Sequence, residues 1–241
     1  MITGIIVALP NEISSLTSKK ANKEDCIFIN NSTVIACSGA GPENAAIAAQ
    51  LLINKGAERL ISWGCAAALK ANLHPGDLVI PQTLLTERHE ELTIASPWLN
   101  KVLDQLSSLN PYTGSLVESS FIVADSEEKK AIYKQTRAIA LDMESVAVAR
   151  MAIQNNLPVV VIRCIADPVS MNLPKAVSYA LNDQGDIKLV KLLWFLLTHP
   201  NELPGLIKLG LHFNAAKNKL KLAASHLDIM DSFEQNTATI K

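Results

Sequence analysis

The chain has 241 residues, a formal net charge of −1 and 49% hydrophobic residues. That composition supplies ample core and suits one large α/β domain or two small ones. Lys and Arg are not massed within the first 200 residues, which argues against nucleic acid as a partner.

Cys26, Cys37, Cys65 and Cys164 lie far apart, with no C-x-x-C spacing. They read as reduced thiols in a cytoplasmic protein, forming neither a disulfide framework nor a zinc site. The opening MITGIIVALP lacks a basic flank, and its apolar run is too short for a signal peptide. No run of about 18 apolar residues is present to span a membrane.

Residues 2–8 are a near-continuous apolar run, the pattern of a strand buried on both faces. Leu9-Pro10-Asn11 ends it and Glu12 follows. Residues 26–29 and 33–37 flank Asn30-Asn31-Ser32, a hairpin signal. Ser38-Gly39-Ala40-Gly41 makes a tight loop, and Pro42 opens a helix stopped by Gly56. Residues 60–63 form the next strand, which runs out into Gly64-Cys65-Ala66-Ala67-Ala68. Pro75-Gly76-Asp77 turns the chain into a strand over 78–81. The polar stretch 84–94 reads as loop. A helix over 97–109, a strand over 116–123 and a helix over 126–135 follow. The last of these opens with a Ser-x-x-Lys turn rich in Glu.

Residues 139–168 organise the rest as strand, buried helix (145–155) and strand (159–165). The first strand runs out into Asp142-Met143-Glu144, the second into Ala166-Asp167-Pro168. Ligands of open α/β sheets sit at the carboxyl ends of strands. Two neighbouring strand ends therefore offer carboxylates to one crevice. Helices are expected over 174–181, 187–197 and 205–227, before a polar, frayed tail. The alternation of strands and helices gives an α/β fold.

Each candidate residue also has a plainer reading. Gly39-x-Gly41-x-x-Asn44 lacks the third glycine of a dinucleotide loop, and the next strand ends at Trp63 rather than at an acid. It can present N–H groups to an anion or a sugar hydroxyl, or be a simple strand-to-helix turn. Glu12 is a site acid or a solvated loop residue. Glu144 is a site acid or a first-turn acid favoured by the helix dipole. Asp167, before Pro168, is a site acid or a helix cap. His89-Glu90-Glu91 is not H-E-x-x-H, and no Gly-x-Ser-x-Gly elbow is present. Carboxylates at strand ends, a small-residue loop and no metal or cofactor motif suit glycosyl chemistry. There one carboxyl protonates the leaving group while another activates the nucleophile.

ALDMESVAVARMA followed by VVVIRCIADP resembles the signature of the purine nucleoside phosphorylase and 5′-methylthioadenosine/S-adenosylhomocysteine nucleosidase superfamily. GIIVALPNE, SGAGPENAAIAA, ISWGCAAAL and LHPGDLVIP extend the resemblance over residues 2–168, in matching order and spacing. It implies a three-layer α/β/α fold with a twisted mixed sheet, as one domain over 1–227 with C-terminal helices (186–227) and a flexible tail (228–241). The later segments are similar to the hopanoid-associated phosphorylase branch, which is linked to removing adenine from adenosylhopane.

By motif, the resemblance assigns Asp167 to protonating the five-membered ring of the leaving base. It assigns Glu144 to the ribose hydroxyls, Met143 to the ribose face and Glu12 to activating water. Phe121 and Ile122 match the segment that packs the base. Ser38, Gly39, Gly64 and Cys65 match loops near nucleophile and ribose. It implies a purine nucleoside substrate, a homo-oligomer (a dimer) and no cofactor, with phosphate as co-substrate only if the reaction is phosphorolytic. Three departures stand out: Ala67-Ala68 replaces the family's Gly-Gly, Cys65 replaces a serine or similar, and the 84–94 loop is short, which bears on the pocket wall and on subunit pairing.

Hydrolysis is favoured over phosphorolysis by charge. No arginine lies in residues 9–12, 38–41 or 64–68, while Glu12 puts a negative charge where a phosphate dianion would sit. Like charges about 4 Å apart cost about 4 kcal/mol at an effective dielectric near 20. Arg59 or Arg88, brought in by a neighbouring element or subunit, would weaken this argument. A non-catalytic nucleoside-binding module is the reading of another class, favoured only by Ala67-Ala68.

Two C-terminal stretches, 189–197 and 206–222, interleave Leu with Lys208, Lys217, Lys219 and Lys221. They fit peripheral contact with an anionic membrane, guidance of a lipid-linked substrate, or packing on the sheet or a second subunit.

Overall fold

The computed structural model describes residues 1–19, 25–180, 195 and 198–227. Its centre is a mixed sheet built on β1 (Ile2–Val7) and β4 (Ala57–Ala68). The hairpin β2 (Cys26–Asn30) and β3 (Thr33–Cys37) forms as expected, with β3 parallel to β1. Beyond β4 come β9 (Ala140–Asp142), β8 (Leu116–Glu118), β6 (Thr83–Leu85) and β7 (Glu91–Thr93), in that spatial order. β10 (Val159–Asp167) pairs in parallel with β4 and carries the short β5 (Leu78–Val79) on its other edge.

β1 shows why both faces of this sheet are dry. Ile6 joins one apolar cluster with Val34, Ala36 and Leu60, while Ile5 and Val7 join another with Ile35, Cys37 and Trp63. A strand's side chains alternate between faces, so a continuous apolar run feeds two cores. Helices α2 (Pro42–Asn54) and α5 (Ser145–Gln154) pack on the first face through Ala45, Ala49, Leu52, Val148 and Ala152. On the second face lie α1 (Pro10–Ile13), α3 (Pro97–Gln105) and the C-terminal helix, through Ile13, Leu99, Val102, Ala216 and Leu220. The result is the expected three-layer α/β/α arrangement. Leu52 is fully buried, so Leu52→Ala costs about 2–5 kcal/mol.

β4 departs from expectation in a way that makes the site. The sequence suggests a strand ending at Trp63, yet pairing continues through the small residues to Ala68. β1 occupies one edge of β4 and stops at the Val7–Trp63 pair. β9 takes over that edge, antiparallel, at Ala67 and Ala68. Residues 8–12 therefore leave the sheet in the gap between β1 and β9. The acids of β9 and β10 are consequently not on neighbouring strands, because β4 runs between them.

Residues 84–94, expected as loop, contain the β6–β7 hairpin, whose turn places His89 at φ 61°. Further α-helices are α4 (Ser126–Thr136), α6 (Lys175–Ala180) and α7 (Leu203–His226). α7 packs on β10 through Ala216, Leu220, Ala223 and Ala224, which supports the sheet-packing reading of this segment. Apart from Phe195, the helix expected over 187–197 lies outside the described residues, as does the tail from 228. Among the described residues, no helix is long and apolar enough to cross a membrane.

Candidate active site

Glu12, Cys65, Phe121, Ile122, Met143, Glu144 and Asp167 line one cavity of about 270 Å³. They arrive from α1, the end of β4, the segment after β8, the segment after β9 and the end of β10. Ser38, Gly39 and Gly64 stand behind the wall rather than on it. Ser38 Oγ donates to the Gly39 carbonyl at 2.7 Å, which fixes the loop at the sheet's edge.

Glu12 is 3% exposed, so the solvated-loop alternative does not hold. Its Oε2 accepts from the Leu9 amide at 3.0 Å, and its Oε1 from the Cys65 amide at 2.7 Å. The carboxylate rests directly on Gly64, where a Cβ would stand 2.8 Å from Oε1. Burial raises its pKa, opposed by the Cys65 amide and by the charge of Arg163. Burial also pushes the Cys65 thiol well above its ordinary value, with Glu12 adding to the rise.

Glu144 precedes α5 and is also buried. Its Oε1 accepts from the Gly41 amide at 2.8 Å. Gly41 has φ +98°, a conformation that L side chains rarely adopt, so the loop's second glycine is needed to aim this N–H. The loop's N–H thus binds a protein carboxylate. Burial, together with the charge of Asp142, pushes Glu144 up to about 7.

Asp167 ends β10 and is 8% exposed. Its Oδ2 meets Lys129 Nζ of α4 at 2.6 Å, while its Oδ1 is buried without a hydrogen-bond partner among the described residues. Burial raises its pKa to about 6 against the opposing pull of Lys129.

A fourth acid, Asp142, lines the same cavity. Asp142 Oδ1 accepts from the Glu144 and Ser145 amides, capping α5, and its Oδ2 pairs with Arg163 Nε at 2.5 Å. Arg163 is 2% exposed, donates to Ser62 Oγ at 2.8 Å and lies 3.9 Å from Glu144. No group of three or more His, Cys, Asp or Glu among the described residues is arranged to hold a metal ion.

The sequence profile of the phosphorylase superfamily matches residues 3–184. The chain belongs to the phosphorylase superfamily. This phosphorylase-superfamily enzyme is 30% identical over 210 residues to a 5′-methylthioadenosine/S-adenosylhomocysteine nucleosidase of Buchnera aphidicola, covering 74% of this chain and 83% of that one. A nucleosidase of the same name from Staphylococcus aureus strain Newman is 28% identical over 194 residues, covering 68% of this chain and 85% of its own. Among solved structures, the Neisseria meningitidis nucleosidase in complex with methylthio-immucillin-A superposes with a TM-score of 0.68 at 19% identity, covering 94% of this chain and 98% of that one. Futalosine hydrolase of Helicobacter pylori superposes with a TM-score of 0.66 at 16% identity, covering 95% and 97%. These last two likenesses speak for the fold.

Three features of this superfamily member carry weak or misleading local signals in the sequence. Arg163 is the one basic residue of a nine-residue strand buried throughout, and a buried charge requires partners. Lys129 sits in the run Ser126-Glu127-Glu128-Lys129-Lys130, which looks like a solvated helix face, yet it is fully buried. Leu209 and Phe213 of α7 reach the cavity wall, which no local pattern announces. Arg59, named as a possible phosphate ligand, belongs elsewhere. It pairs with Thr3 at the far end of β4, and its guanidinium lies 4.7 Å from the centre of the Trp98 ring.

Proposed function

We propose that this enzyme hydrolyses the N-glycosidic bond of an adenine nucleoside bearing a 5′ substituent. The observation that carries the reading is the convergence of Glu12, Glu144 and Asp167, all buried, on one cavity. The nucleosidases among its relatives support the same reaction class.

Each acid has a distinct task. Glu12, held by two backbone amides, takes a proton from water as the water oxygen bonds to the anomeric carbon. Asp167 gives its proton to the five-membered ring of the base, which leaves with the electron pair of the broken C–N bond. Glu144 holds the ribose hydroxyls, and the Met143 thioether lies against the sugar's apolar face. Phe121 and Ile122, exposed on the cavity rim, pack the base. Cys65 lines the floor beside Glu12, while Gly64, Ser38 and Gly39 support that floor from behind. A positioned general base or acid contributes about 10²–10⁴-fold each.

Water fits this floor better than phosphate. The buried cation nearest Glu12 and Glu144 is Arg163, and it is already shared with Asp142, Glu144 and Ser62. Phosphorolysis is the second reading, favoured by one observation: Arg163 Nη1 is buried without a hydrogen-bond partner among the described residues. Adenine release with and without phosphate separates the two.

The same reading extends to the 5′ group. Leu173, Val177, Leu209 and Phe213 give the cavity an apolar side, and Leu203, Ile207 and Leu211 of α7 are exposed. These residues fit a long apolar 5′ substituent, as in adenosylhopane, and a peripheral approach of α7 to a lipid surface. Exposed Ile47 of α2 and Ile153 of α5 fit a second copy of the chain in a dimer. Liposome flotation and light scattering, respectively, test these two contacts; no flotation and a monomeric mass would contradict them.

A further inference from the structure

Lys129 is an unusual residue to find with no exposed surface. It is the fourth residue of α4, and α4 is otherwise strongly charged. Its ammonium donates to the Met171 carbonyl at 2.9 Å and meets Asp167 Oδ2 at 2.6 Å. Asp167 Oδ1 has no partner among the described residues. The two oxygens of this carboxyl are therefore chemically distinct before any substrate arrives.

We infer that Lys129 is a positioning residue for Asp167: its ammonium occupies Oδ2 and so leaves Oδ1 as the oxygen that carries the proton to the departing base. The inference rests on the reading of Asp167 as the acid of the proposed hydrolysis. An ammonium donates all its protons and accepts none, so an oxygen that it binds is a poor place for another proton. The neutral acid then holds its proton on Oδ1. The link from Nζ to the Met171 carbonyl ties α4 to the chain leaving β10, which fixes the carboxyl plane.

The pairing also sets the pH at which the acid is loaded. Burial favours the protonated carboxyl and Lys129 favours the ionised one. The charged and titratable groups that line the cavity with Asp167 are Glu12 of α1, Cys65 of β4, Asp142 of β9 and Glu144 ahead of α5; Lys175 lies on α6, Lys208 and His212 on α7, and Arg163 on Asp167's own strand. Asp167 forms its ion pair with none of these but with Lys129 of α4.

The test is the pH profile of adenine release by the full chain, compared across wild type, K129M and K129R. In K129M the high-pH fall in rate should move up by about one pH unit or more, with a lower kcat and a KM changed little. K129R keeps the charge and should restore the wild-type profile. A profile of K129M identical to wild type would overturn the inference. Release of no adenine by wild type would instead count against the hydrolytic reading. A ¹⁵N-lysine spectrum tests the pair independently of turnover and of how K129M folds. The expected result is one ammonium signal protected from exchange in wild type and lost in D167N. Absence of any such signal in wild type would overturn the pair itself.

Discussion

Glu12 and Gly64 are built around one another. The Glu12 carboxyl lies where the β-carbon of any other residue at position 64 would stand, 2.8 Å from its Oε1. The Cys65 amide then holds the same oxygen at 2.7 Å. The end of β4 is thus a cradle for a carboxylate that belongs to α1. Gly64→Ala should push Glu12 off the Cys65 amide, lowering kcat by about 10²-fold or more if Glu12 is the base. Steady-state kinetics with a 5′-substituted adenine nucleoside check this. Unchanged kcat would remove Glu12's geometry from the account.

Glu12→Gln keeps the shape but cannot accept a proton. Its adenine release should fall by about 10²–10⁴-fold, while circular dichroism shows the fold intact. Turnover at the wild-type rate would end the role of Glu12.

Glu144 gives a stability prediction with a definite sign. Burial raises its pKa in the folded protein from 4.5 to about 7. Between these values the unfolded chain ionises this group while the folded chain resists. Its contribution to stability is therefore fully present below pH 4.5 and lost as pH rises towards 7. Glu144→Gln removes that loss, so its melting temperature relative to wild type should climb from pH 4.5 to pH 7 and then level off. Paired thermal melts across that range measure it. A difference that stays flat with pH would contradict the burial argument. The variant should still lose activity, through loss of its hold on the ribose.

Phe213 of α7 tests the apolar side of the cavity. Phe213→Ala should lower kcat/KM for a long apolar 5′ group about tenfold more than for a methylthio group, a difference of about 1.4 kcal/mol. Equal losses for both substrates would place the 5′ group elsewhere.

Much of this site was legible because chain breaks and chemistry coincide in it. Asp142-Met143-Glu144 and Asp167-Pro168 end apolar strands, and Gly41-Pro42 starts a helix, so local signals placed them correctly. The extension of β4 to Ala68 was not legible. Alanines carry no strong strand preference, and the pairing there depends on β9 and β10, which come some 70 to 100 residues later. The β6–β7 hairpin was hidden by its polar turn. Lys129 was hidden by its neighbours: three more charges in a short run describe a wet helix face, and only the tertiary fold shows that one of them points inward. Arg163 does leave a clue in the sequence, since it sits between apolar residues and so demands an acid nearby.

Whether water or phosphate is the nucleophile is decided by adenine release from 5′-methylthioadenosine, and from an adenosine carrying a long apolar 5′ group, each in phosphate-free buffer and with phosphate added. Hydrolysis at Glu12 gives release without phosphate, unchanged when phosphate is supplied, with preference for the long group. Release that requires phosphate would contradict it, and would make Arg163, rather than Glu12, the residue around which the nucleophile's site is organised.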